Sequence, residues 1–156
     1  MLAEAIKRRL SKEENQKGFT LIELLAVIVI LGIIAVIAIP MISNILQNSR
    51  EDSDVATARQ IYEAARIYVA GELNGDFTKT GGLTITIGPK ATAGTLQAGG
   101  YLEDPLYLPS TKAAITGGTV IFNEDGTLKS VTILPISEAA DATGLFTSTQ
   151  VLQAKK

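Results

Sequence analysis

The sequence predicts an α+β chain: a long N-terminal α-helix, transmembrane in its first half and amphipathic in its second, packed against a small antiparallel β-sheet. Three observations predict it. Phe19–Pro40 is an almost unbroken apolar run of 22 residues. Ile42, Ile45, Leu46, Ala56, Ile61, Ala65 and Tyr68 follow at mixed three- and four-residue steps, the stripe of an amphipathic helix. Beyond residue 80 the pattern changes to short β-rich runs bounded by glycine.

At about 1.5 Å per residue, a helix over Phe19–Pro40 reaches roughly 33 Å, enough to cross a bilayer core. Ahead of it stand Lys7, Arg8, Arg9, Lys12 and Lys17 against Glu4, Glu13 and Glu14, so the start is basic while the whole chain carries −2. A basic start before an apolar span keeps the N-terminus in the cytoplasm and sends the rest of the chain outward. The 156 residues leave room for one ordinary domain after the span. The slightly acidic balance gives no electrostatic case for a nucleic-acid partner. With no cysteine and no histidine, disulfides, thiolate metal sites and the usual catalytic triads are excluded. Neither an enzyme nor a cofactor or metal is expected.

Within the apolar run stands one carboxylate, Glu23. An ionisable group there costs about 2.5–3.5 kcal/mol at the centre of a spanning helix. Near the helix N-terminus, unpaired N–H groups and the macrodipole return only about 0.3–1 kcal/mol. A positive partner is therefore expected. Three readings of the segment compete: a plain single-span anchor, a secretory signal, and a leader cut before the apolar stretch. The second fits poorly, because the apolar stretch exceeds a signal's usual length and no small-x-small site follows it.

The run Gly18-Phe19-Thr20-Leu21-Ile22-Glu23, preceded by Lys17 and continued by the apolar helix, resembles the prepilin cleavage motif of the type IV pilin family. The resemblance covers about residues 17–40. It implies that a prepilin peptidase cuts between Gly18 and Phe19 and that the new Phe19 amine is methylated. It also implies that Glu23 pairs with a Phe19 amine, in its own chain or in a neighbouring one, during assembly. Gly32 and Pro40 stand where pilins carry helix-loosening residues. In a helix interior they cost roughly 1 and about 3 kcal/mol, which marks 32–40 as the weakest part of a long helix. The missing cysteines exclude the family's C-terminal disulfide loop and fit cysteine-poor pilins of Gram-positive or thermophilic bacteria.

The expected organisation is a leader over 1–18, a spanning and filament-core helix over 19–40, its amphipathic continuation over 41–71, and a loop-and-sheet domain over 72–156. Ser53 or Asp54 could break the helix, and Arg50–Asp54 reads as a solvated polar patch or a neighbour contact. Arg59 and Glu63 stand four apart, the spacing of a helical ion pair. Gly71 or the pair Asn74-Gly75 ends the helix. Leu83–Ile87 reads as a strand, Thr95–Ala98 as a helical turn. Thr119–Phe122 and Thr127–Ile133 form a hairpin around Asn123–Gly126, presenting Val120, Phe122, Leu128, Val131 and Ile133 to the helix. Pro135 closes the second strand. Residues 138–153 are ambiguous, the alanines at 139, 140 and 142 favouring helix and Phe146–Thr149 opposing it. Tyr101 and Tyr107 read as core or groove aromatics. Asp104, Glu124, Asp125 and Asp141 are better read as solvated turn acids than as a calcium site.

The expected function is structural: a type IV pilus subunit, held in the cytoplasmic membrane as a single-pass precursor and polymerised by the pilus assembly machinery into a homo-oligomeric helical filament at the cell surface. The alternatives are a pseudopilin of a type II secretion or competence system, and an unprocessed single-span protein with an outward ligand-binding domain.

Overall fold

The computed structural model describes residues 19–137 and 139–153. The expected leader over 1–18, with Gly18, lies outside the described residues, as do Glu138 and residues 154–156. The described elements are α1 (Leu21–Glu72), β1 (Leu83–Ile87), β2 (Gly117–Phe122), β3 (Leu128–Leu134), β4 (Leu145–Thr147) and α2 (Ser148–Leu152). This is the α+β arrangement expected from the sequence.

Helix α1 runs for 52 residues with Pro40 inside it. It does not break at Ser53 or Asp54. Ser53 Oγ donates to the Ser49 carbonyl at 2.7 Å and Thr57 Oγ1 to the Ser53 carbonyl at 3.0 Å. These hydroxyls bond back onto the preceding turn and leave the backbone ladder intact. The helix stops where Asn74 and Gly75 turn left-handed, at φ 53° and 75°. Leu73 and Gly75 N–H both donate to the Val69 carbonyl, at 3.1 and 3.0 Å. The glycine-terminated end is thus the Asn74-Gly75 pair and not Gly71.

Contacts divide the chain into Met1–Ser43 and Asn44–Lys156. In the first unit the large apolar side chains from Phe19 to Ile42 are all exposed. The second unit holds a core in which Ala58, Ile61, Ala65 and Val69 of α1 pack with Ile85, Val120, Phe122, Val131, Ile133 and Phe146. The expected stripe is therefore split. Ile61 and Ala65 are buried and Tyr68 half-buried, whereas Ile45, Leu46 and Ala56 are exposed.

The sheet is an antiparallel meander in the order β1-β2-β3-β4. Strand β1 alternates as its period-two sequence demands, with Leu83, Ile85 and Ile87 buried and Thr84 and Thr86 exposed. The β2–β3 hairpin forms around Asn123–Thr127, and all five residues expected on its inner face are buried. Leu128 and Val131 are an odd number of positions apart, so a regular strand would send them to opposite faces. A bulge resolves this: Ile121 pairs with Ser130 but Phe122 pairs with Leu128, so the extra residue Lys129 shifts the phase. At Gly118 (φ 145°) an added Cβ would lie 2.1 Å from the Thr132 carbonyl oxygen, so only glycine fits where β2 meets β3.

At the 95–98 segment a single turn forms, with Gly99 N–H donating to the Thr95 carbonyl at 3.0 Å. The C-terminal segment reverses the expectation from its alanines. Ala139 and Ala140 lie in a turn; Phe146 is a core residue paired with Val131, and the short helix is Ser148–Leu152. Thr147 caps α2, exchanging bonds with Gln150 that outweigh the alanines' higher propensity. Tyr107 is also unlike the expectation: it is exposed.

Candidate assembly site at the head of the apolar helix

The first turn of α1 is closed by a reciprocal pair. Glu23 N–H donates to Thr20 Oγ1 at 3.3 Å. In return, Thr20 N–H and Thr20 Oγ1–H donate to Glu23 Oε2 at 2.8 and 2.7 Å. This is a capping box, with Thr20 as the N-cap and Glu23 three positions on. Two of the helix's otherwise unpaired amides gain acceptors, and the carboxylate lies over the positive end of the macrodipole. Glu23 therefore has a partner within its own chain before any amine is considered. Both bonds fall on the same oxygen, Oε2. Thr20 is the residue that sequence reasoning missed, although its T-x-x-E spacing ahead of an apolar run was readable.

Phe19 lies immediately before the cap and is 81% exposed. Behind the cap, α1 is long and apolar enough to cross a membrane, and none of its most apolar window is buried within the chain. Gly32 and Pro40 lie on this segment. An added Cβ at Gly32 meets nothing within 4 Å. Pro40 offers no N–H to the carbonyl one turn earlier.

Within the polar run after the span, Arg50 and Asp52 are exposed as a solvated patch requires, and Asp54 alone departs from that expectation. Asp54 is fully buried. Its Oδ1 accepts from Ser110 N–H at 3.0 Å and its Oδ2 from the Ser137 hydroxyl, which in turn accepts from Ala139 N–H at 3.1 Å. One side chain of α1 thus ties down two distant loops. Among the described residues, Glu63 pairs with Arg66 at 3.2 Å, three apart, in place of Arg59.

The four candidate acids are spread over separate turns. Asp104 accepts from Lys90 N–H and Glu124 from Gly81 N–H, each at 2.8 Å. Asp125 accepts the hydroxyl and amide of Thr127, and Asp141 the hydroxyl and amide of Thr143 and the amide of Leu145. Those donors, the threonine hydroxyls foremost, hold both aspartates below the usual carboxylate range. Among the described residues no group of three or more acidic, histidine or cysteine side chains could hold a metal ion.

Residues 15–39 match the family model described as the prokaryotic N-terminal methylation motif. The type IV major fimbrial protein FimA of Dichelobacter nodosus is 40% identical over 78 residues, covering 40% of this chain and 50% of that protein. Both matches support a type IV pilin. The chain spans about half the length of the curated relative it matches. No solved structure matches it. A pilin's long apolar N-terminal helix and small antiparallel sheet are both present here.

Proposed function

We propose that this pilin-like structural protein is a subunit of a type IV pilus. Prepilin peptidase cuts between Gly18 and Phe19 and the Phe19 amine is methylated. The apolar helix holds the subunit in the cytoplasmic membrane until the assembly machinery moves it into a surface filament. The observation that carries this reading is a capped carboxylate heading an apolar helix that the chain itself leaves uncovered. Neighbouring copies supply the missing apolar cover once the helices leave lipid.

Glu23 then acts mainly as a register check. Paired buried charges contribute little net stability, whereas an unpaired one is strongly penalised. A neighbour's Phe19 amine would neutralise Glu23 only in the correctly docked position. Gly32 and Pro40 supply the helix segment that loosens during assembly. The fimbrial relative favours a pilus subunit over a pseudopilin.

Mass spectrometry of the mature N-terminus, together with electron microscopy of sheared surface material, tests the proposal. Methyl-Phe19 on long filaments is expected, and Glu23→Ala should abolish the filaments while the protein stays inserted. Short fibres would point to a pseudopilin. An intact Met1 without polymer would overturn the reading in favour of an unprocessed anchor.

A further inference from the structure

The chain's one Asn-Gly pair lies where α1 ends. Asn74 is exposed and left-handed at φ 53°, and Gly75 follows at φ 75° with open space around it. Asn-Gly is the dipeptide best suited to self-deamidation, because glycine puts no side chain in the way of its own nitrogen. The deprotonated Gly75 nitrogen attacks the Asn74 side-chain carbonyl carbon, a new C–N bond closes a succinimide, and the amide nitrogen leaves as ammonia with the proton. Water then opens the ring at either carbonyl, leaving an aspartyl or an isoaspartyl residue in place of the asparagine. No electrons are transferred.

In the folded chain the attacking nitrogen is engaged. Gly75 N–H donates to the Val69 carbonyl at 3.0 Å as part of the helix end. That end is itself pinned from outside. Tyr101 Oη donates to Glu72 Oε1 at 3.0 Å, and the Tyr101 ring meets Tyr68 edge-on at 5.3 Å.

We propose that Asn74 is a latent self-deamidation site whose rate is gated by the Tyr101–Glu72 clasp on the end of α1. Opening of the last turn frees the Gly75 nitrogen; closure withdraws it. Deamidation adds a carboxylate between Glu72 and Asp76, at the helix end where negative charge opposes the macrodipole. Deamidation therefore weakens the end of α1 in the chain that carries it. The chemistry does not depend on what the chain assembles into.

The test follows the mass gain of the Asn74 peptide in the full-length protein in detergent micelles, in native buffer and in urea, at one mildly alkaline pH. Urea should raise the rate by at least about tenfold, the protection expected of a helix end that opens locally. Tyr101→Phe, checked for retained helicity, should raise the native rate several-fold, and Glu72→Ala serves as a second variant lacking the clasp. Gly75→Ala in urea should slow the reaction. Equal rates in native buffer and urea would overturn the proposal, as would an unchanged native rate in both clasp variants.

Discussion

Ser137 donates its hydroxyl to Asp54 Oδ2, joining residues 83 positions apart, while Ser110 N–H occupies the other carboxyl oxygen. Because Asp54 is fully buried, removing it strands two donors where water is scarce. Asp54→Ala is expected to cost about 2–4 kcal/mol, and Asp54→Asn, which keeps one acceptor, about half of that. Urea denaturation measures both. A midpoint unchanged in Asp54→Ala would mean the two loops are held by packing alone.

Thr20→Val removes the hydroxyl that caps α1 and also one of the two bonds orienting Glu23. The start of the helix should lose about 1 kcal/mol. In micelles the amides of the first turn should then exchange several times faster, and Thr20→Ser should restore their protection. Identical exchange in all three proteins would argue that lipid contact, and not the cap, holds the first turn.

Gly32→Ala introduces a methyl group into open space, so the helix gains roughly 1 kcal/mol of propensity without a clash. Helical circular dichroism in micelles should persist to higher temperature. Combined with Pro40→Ala, the change should stiffen filaments under pulling force; unchanged extension would count against this segment as the compliant element.

Gly118→Ala meets the opposite situation, a backbone oxygen of β3 far inside van der Waals contact with the new carbon. A loss of about 3 kcal/mol or more is expected, from strain together with a displaced ladder. Thermal unfolding should show it, and a wild-type melting temperature would require the β2–β3 register to differ from that described.

Stability should fall at both ends of the pH range for separate reasons. Asp125 and Asp141 are held low by threonine hydroxyls and amides, so their contribution is complete above the ordinary carboxylate range and lost as pH drops through the lowered values. Tyr101 is pushed up by its bond to Glu72, so its contribution is complete below the ordinary tyrosine range and lost as pH climbs through the raised value. Urea midpoints measured against pH should form a plateau with two shoulders. Thr143→Val should flatten the acid shoulder; an identical acid limb would remove Asp141 from the explanation.

Much of this architecture was legible because it is written locally. Strand β1 was readable to its end residues from period two between glycines, and the β2–β3 hairpin from a Gly-containing turn. Leu128 could be assigned to the inner face by hydrophobicity, yet the bulge that brings it there is a property of the pairing and not of either strand alone. Asp54 was illegible for a similar reason. Amid Arg50, Glu51 and Asp52 it reads as one more solvated charge, and its two partners lie 56 and 83 positions away. Thr20 is the instructive case, since its partner is three residues off and the T-x-x-E spacing of an ordinary cap stands in the sequence. In the C-terminal segment, the reciprocal bonds between Thr147 and Gln150 decided the helix over the alanine-rich stretch that propensity favoured.

Every buried apolar side chain among the described residues lies at Ala58 or later. A protein trimmed to begin near Asn44 would keep all of them, together with Asp54 and both loops it ties, while shedding the exposed apolar run from Phe19 to Ile42. Such a fragment should dissolve without detergent, which would let the folding of the sheet-bearing unit be weighed in plain buffer, apart from any contribution of lipid.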